Sequence, residues 1–239
     1  MSALFEELDR QPTPIGEISL RRRLEPVLQV EVYEAKLDDE FLMSSLFTAS
    51  EVALASLALS EAASDDLDVV VGGLGLGYTA RAVLEDPRVR SLAVVEALAA
   101  VIGWHDQQLL PDAAALTSDP RCRFVEGDFF AMVAGDEGFG PLVPPRVHVI
   151  AVDIDHSPRH LLDPRHASFY EPAGLARVGD LLHPGGVFAL WSDDPPDDEL
   201  IAVADRAFES CVAHVVSFPN PYTGDESACT VYVCRRGAD

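Results

Sequence analysis

The chain has 239 residues, 48% of them hydrophobic and 24% charged, enough to bury a sizeable core in one large domain, or in one domain with a small appendage. A mainly disordered or fibrous protein is excluded. Lys and Arg number 17 against 40 Asp and Glu, for a formal net charge of -23, a field that repels nucleic-acid backbones and anionic lipid and attracts cationic small molecules or basic proteins, while also serving plain solubility.

The opening stretch MSALFEELDR carries three acids and no apolar core of signal-peptide length, and no later run is long enough to span a membrane. The expected chain is therefore cytoplasmic, with no membrane and no nucleic acid as partner. Residues 1–48 are read as a small β unit of two to four strands. From Gly16 to Phe47 the sequence alternates and is rich in β-branched residues, with turn signals at Glu25-Pro26 and Leu37-Asp38-Asp39. The basic run Arg21-Arg22-Arg23 inside it reads as a solvated or ion-paired strand. Ala49 to Ala63 is an Ala/Leu-rich helix that Ser50 can cap.

Residues 49–239 form the main domain. From Asp68 onward, apolar runs at 68–71, 91–96, 122–126, 147–153 and 186–192 alternate with helical stretches at 77–85, 97–109 and 168–182. That order predicts an α/β, Rossmann-like parallel sheet covered on both faces. A helix near 197–210 and two further β runs, at 213–218 and 228–235, suit an antiparallel carboxy-terminal edge. Asp-Pro-Arg occurs at 86–88, 119–121 and 163–165 and is read as turn chemistry. Cys122, Cys211, Cys229 and Cys234 show no CxxC and no zinc-ligand spacing. No metal is expected, and all four read as buried, reduced thiols.

The densest signal is Gly72-Gly73-Leu74-Gly75-Leu76-Gly77, directly after the first strand of this sheet and before a helix. Glycines there let backbone N–H groups approach a ligand with no Cβ in the way. Gly73-x-Gly75-x-Gly77 fits an adenosylmethionine site, and Gly75-x-Gly77-x-x-Ala80 passes as a dinucleotide fingerprint, so an NAD-dependent oxidoreductase stays open beside a transferase. Glu96 ends the second strand, where an acid can accept both ribose hydroxyls of a nucleoside. After the third strand Asp128 is placed to accept an adenine amino group while Phe129 covers the ring; Asp128 equally suits a helix N-cap. The fourth strand delivers Asp153, Asp155 and His156. Asp153 directly ends the apolar run and is favoured for the pocket, as base for a cationic amine, with loop capping open for Asp155 and solvent for His156. Trp191, Asp193 and Asp194 stand at the end of the fifth strand, where a π face and two carboxylates suit an amine, although the acids at 197–199 also open a helix.

Taken in order, VVVGGLGLG, VVEALAAVI, DPRCRFVEGDFF, VIAVDIDHSP, FYEPAGLARVGDLLHPGGVFALW and FPNPY resemble the spermidine synthase family, polyamine aminopropyltransferases on the class I adenosylmethionine-dependent methyltransferase fold. The resemblance is good from Asp68 to Trp191. It implies that Gly73 to Gly77, Glu96 and Asp128 hold S-adenosylmethionine or its decarboxylated form, that Asp153 activates the amine, and that the chain is a homodimer. The chain departs from the family in lacking the aspartate of a GGGDGG loop, where it has Leu74-Gly75-Leu76, in carrying His156 at the second acid position of an Asp-Ser-Ser-Asp-Pro type segment, and in keeping only Leu37-Asp38-Asp39 of a Leu-Asp-Gly-x-x-Gln element. The resemblance thus implies a kept nucleoside half and a rebuilt amine half. A nucleoside-binding relative without catalysis is the other class of reading.

Overall fold

The computed structural model describes residues 5–238, so the first four residues of the acidic opening stretch lie outside it. An antiparallel sheet comes first, in the order β1 (Phe5–Thr13), β2 (Gly16–Leu24), β3 (Glu31–Leu37), β4 (Glu40–Ser44). The sequence reading finds strand signals in this unit only from Gly16 on and does not single out β1, a largely exposed edge strand without an apolar stripe to announce it. The arginine run of β2 is ion-paired, as expected. Arg21 and Arg23 donate to Glu34 at 2.7 and 2.8 Å, and Arg22 to Glu6 at 2.6 Å. Burial alone would raise the Glu34 pKa, but the two guanidinium groups outweigh it and hold the carboxyl below its usual range. Ile18, Leu20 and Val32 are fully buried, and Ile18 and Leu20 share a core with α1 (Ala49–Glu61) and the main sheet. The chain itself therefore covers part of this sheet's apolar face. Ser50 does not cap α1: Thr48 stands at the cap without a side-chain bond, and the Ser50 hydroxyl donates to Glu51 at 2.6 Å.

The main sheet has the order β10 (Ser210–Pro219), β11 (Glu226–Arg235), β9 (Leu182–Ser192), β8 (Val147–Val152), β5 (Leu67–Gly72), β6 (Val89–Glu96), β7 (Cys122–Glu126). Strands β5 to β9 run parallel, and β11 pairs antiparallel with both β9 and β10. Val69, Val71, Val149 and Ala151 enter one core while Val70, Ile150 and Val152 enter the other, so the continuous apolar strands serve both faces of a sandwiched sheet. The helices are α2 (Tyr78–Leu84), α3 (Ala99–Asp106), α4 (Ala113–Thr117), α5 (Phe129–Ala134), α6 (Pro172–Asp180) and α7 (Asp198–Ala204). None is long and apolar enough to cross a membrane.

Three expectations need correction. The helix expected over 168–182 is split: Pro164–Tyr170 is a 3-10 turn, and Glu171 is extended because it precedes Pro172, which opens α6. The strand expected over 186–192 starts earlier, at Leu182, so His183-Pro184-Gly185-Gly186 lies inside β9, where the pairing with β8 slips from Val147↔Leu182 to Val149↔Val187. Cys211 and Cys234 lie directly opposite on β10 and β11 and form a disulfide, leaving Cys122 and Cys229 free. Cysteine usage thus gives no support to a reducing compartment. The Asp-Pro-Arg triplets are turns, as read: Asp86, Asp119 and Asp163 each accept from the backbone N–H and the guanidinium of the arginine two residues on.

Strand β5 lies between β8 and β6, so the chain leaves it in one direction through β6 and β7 and returns on its other side at β8. Ligands of open α/β sheets bind at such a switch, outside the carboxyl ends of the strands.

Candidate functional site

The ends of four strands, β5, β6, β7 and β8, are tied together by backbone bonds. Gly73 N–H donates to Val95 O, Asp153 N–H to Gly72 O, and Gly127 N–H to Glu96 O, each at 2.9 Å. The glycine loop therefore turns directly over the end of β8. Gly73 has φ +95°, and a Cβ on it would lie 2.2 Å from the Asp153 carbonyl oxygen. No other residue type fits there.

Two cavities flank this turn. The smaller, about 220 Å³, is lined by Gly73, Gly75, Glu96, Asp128, Phe129 and neighbours including Leu98 and Arg165. The larger, about 460 Å³, is lined by Leu74, Gly77, Asp153, His156, Trp191, Asp193 and others. Met43, Gly73, Gly75, Asp153, Ile154 and Leu162 line both, so the cavities meet over the glycine loop and the end of β8.

In the smaller cavity, Glu96 accepts from Leu74 N–H at 3.0 Å and Leu98 N–H at 2.8 Å, bracing the loop against the start of α3. Burial raises its pKa, against the lowering pull of these backbone donors. Asp128 lines the cavity and also caps α5, accepting from Ala131 N–H at 3.1 Å, so both of its readings hold geometrically. Phe129 reaches the cavity as a core residue. It is 2% exposed, stacked on Phe139, and a Cβ on Gly72 would touch its ring at 2.8 Å.

In the larger cavity, Asp153 accepts from Thr79 Oγ1 at 3.1 Å. Burial, with the Glu51 carboxylate nearby, pushes its pKa up to about 7, against the lowering pull of Thr79. A carboxyl so placed exchanges a proton near neutral pH. Trp191 presents its ring to the cavity, and its buried indole N–H has only the Cys229 thiol beside it. His156 lines the cavity, and its carbonyl accepts from Asp193 N–H at 2.8 Å, which joins the ends of β8 and β9.

Asp155 lies elsewhere. It lines neither cavity, is 2% exposed, and accepts from Leu162 N–H at 2.8 Å, from Tyr170 Oη at 2.9 Å and from the His166 ring at 2.8 Å. The substrate role read for it is replaced by loop capping, because β8 ends at Val152 and the bent segment that follows turns the Asp155 carboxylate to these three donors. Among the described residues, no group of three or more His, Cys, Asp or Glu is placed to hold a metal ion.

Sequence reasoning missed Glu51, Thr79, Cys229 and His105. The first three line the larger cavity. His105 is fully buried beneath the glycine loop, and its Nε2–H donates to Gly75 O at 3.0 Å, the only role a carbonyl partner allows. Burial lowers its pKa, which keeps it neutral.

No family model matches the chain, and no curated protein sequence does. Among solved structures it is similar to spermidine synthase from Thermotoga maritima, at 18% identity and a TM-score of 0.74, over 98% of this chain and 74% of that one. A spermidine synthase solved in complex with the transition state analogue AdoDATO is similar to the same degree, with 18% identity, TM-score 0.74, and 98% and 74% of the two chains covered. Human methyltransferase-like protein 13, solved with SAH, is similar at 18% identity and a TM-score of 0.57, over 80% of this chain and 83% of that one.

Proposed function

We propose that the chain is a transferase that moves a methyl or aminopropyl group from S-adenosylmethionine or its decarboxylated form to a small cationic amine. The observation that carries this reading is the meeting of the two cavities at Gly73, Gly75 and Asp153. A nucleoside held by Gly73 to Gly77, Glu96 and Asp128 has its reactive end directed toward an acid that exchanges protons near neutral pH. The loop suits such a ligand because its backbone lies open where side chains would otherwise stand. Two of the similar structures were solved with ligands of this chemistry, AdoDATO and SAH.

The bound donor supplies an electrophilic carbon on a sulfonium sulfur. The chain's own work is positioning and proton removal. Glu96 and Asp128 orient the nucleoside, Trp191 and Asp193 receive the amine's charge, and Asp153 takes the proton that frees the nitrogen lone pair. The -23 net charge draws a cation toward the site. The homodimer is proposed on the exposed apolar residues of the amino-terminal sheet region, Phe5, Val30 and Phe41; a monomer by light scattering at micromolar concentration removes it.

Calorimetry with S-adenosylmethionine, methylthioadenosine and NAD tests the donor, and binding of NAD alone overturns the reading in favour of an oxidoreductase. Mass spectrometry of a panel of diamines, polyamines and small acids, with S-adenosylmethionine and its decarboxylated form, tests the transfer. Nucleoside binding with no product from any pairing leaves a non-catalytic binder.

A further inference from the structure

The buried acids of this chain mostly have donors to match. Glu34 is held by Arg21 and Arg23, Asp68 by Arg90 and Ser91, and Asp155 by Tyr170, His166 and a backbone N–H. Glu51 and Asp153 differ. Both line the larger cavity, Glu51 from the first turn of α1 and Asp153 from the end of β8. Each has one side-chain donor, a hydroxyl: Ser50 at 2.6 Å for Glu51 and Thr79 at 3.1 Å for Asp153. The other titratable groups on the cavity wall are Tyr78 from α2, His156 after β8, Asp193 after β9 and Cys229 on β11, and no Lys or Arg is among the described residues that line it. Two partly buried carboxylates without a cation are costly to keep ionised, and a cationic ligand relieves that cost.

We propose that Glu51 is the second carboxylate of the acceptor site and acts as a pair with Asp153, one acid taking the amine's proton while the other stays ionised as counter-charge. The inference rests on the transferase reading and adds a residue and a proton route to it. The acceptor enters as an ammonium ion. One N–H bond breaks and its proton goes to the Asp153 carboxylate. The freed lone pair attacks the carbon on the sulfonium sulfur, the C–N bond forms, and the C–S bond breaks with its electron pair left on sulfur. The positive charge ends on the product nitrogen, and Glu51 remains ionised to balance it. Charge is conserved at each stage with no other reactant. The lone role of an acid in the first turn of a helix, complementing the helix dipole, does not require Glu51 to face this cavity.

The pair is read without any turnover, by following the carboxyl carbons of aspartate-labelled protein by NMR against pH, with Asp153→Asn used to assign the resonance. In the wild type the Asp153 midpoint should stand at about 7. In Glu51→Gln, removal of the neighbouring negative charge should lower it by roughly one unit or more. Glu51→Asp keeps the charge and should keep the midpoint raised, and serves if Glu51→Gln does not fold. Saturating 1,4-diaminobutane, the cationic probe, should lower the wild-type midpoint and have a smaller effect in Glu51→Gln. A midpoint that Glu51→Gln leaves unchanged, or that lies in the ordinary aspartate range in the wild type, overturns the pair. Absence of transfer with any donor refutes the transferase reading and leaves the titration result standing. Active transfer with an Asp153 midpoint indifferent to Glu51 refutes this inference alone.

Discussion

The Cα of Gly73 lies against the carbonyl of Asp153 so closely that an added Cβ would sit 2.2 Å from the oxygen. This contact ties the glycine loop to the strand end that carries Asp153, and it explains why the two cavities share a wall. In Gly73→Ala the new methyl meets backbone rather than a flexible side chain, and alanine must also hold φ at +95°. The variant should lose about 2–3 kcal/mol of stability. Denaturant unfolding reads that loss, and nucleoside affinity should fall with it because the loop and the end of β8 can only move apart together.

Asp153→Asn should abolish transfer while leaving nucleoside affinity near the wild-type value, since the nucleoside contacts lie on the loop and on the ends of β6 and β7. Its stability should carry a pH signature. The folded pKa of Asp153 is raised from 3.8 to about 7, so the folded state holds a proton that the unfolded state has released across that interval. Wild-type stability therefore falls as pH rises through it. Asparagine carries no such penalty. The variant should melt above the wild type at pH values over about 7, as the raised midpoint dictates, with the gap closing as pH drops toward the ordinary aspartate range. A constant gap across that range assigns the raised value to another group.

The sheet was legible because its strands are buried on both faces and so read as uninterrupted apolar runs; the third, Cys122–Glu126, matches the sequence expectation residue for residue. The glycine loop, Glu96, Asp128 and Asp153 were legible because they stand where strands stop. The residues that complete the larger cavity were not. Glu51 opens an Ala/Leu-rich helix, where an acid is unremarked in the first turn, while Thr79 in the first turn of α2 and Cys229 inside β11 lie far from Asp153 in sequence. Only the packing of α1 beside β8, β9 and β11 brings them to one wall. His105 was hidden for the same reason, since its partner is a carbonyl of the loop above it.

The disulfide also depends on register. Cys211 and Cys234 are 23 residues apart and become neighbours only because β10 and β11 pair residue for residue. Alkylation of the denatured but unreduced protein should label Cys122 and Cys229 only, read by mass spectrometry. Reduction should destabilise the fold by about 2–4 kcal/mol, the usual worth of a cross-link closing a loop of this order. Four alkylated cysteines without reductant would contradict the pairing.

The segment after β9 separates into residues that face the acceptor and residues that hold the chain. Trp191 and Asp193 line the larger cavity. Asp194 does not: its carbonyl accepts from Thr230 Oγ1 at 2.7 Å, and its carboxylate lies 3.6 Å from His160. Asp197 caps α7, accepting from Glu199 N–H at 2.9 Å, and pairs with Arg159 at 2.8 Å. Charge offered to a cationic acceptor from this segment therefore comes from Asp193, which is exposed and has no ion-pair partner among the described residues. Asp193→Asn should raise the KM for a diamine acceptor about 3- to 10-fold, the effect of losing an exposed charge at roughly 0.7–1.4 kcal/mol. Nucleoside affinity should stay unchanged, because Asp193 lies outside the smaller cavity. Asp194→Asn, matched in charge but turned away from the cavity, is the control and should leave both constants near wild type. Equal effects of the two substitutions would mean that the acidic segment acts only through its net field, and an effect on nucleoside affinity would move it into the folding of the site.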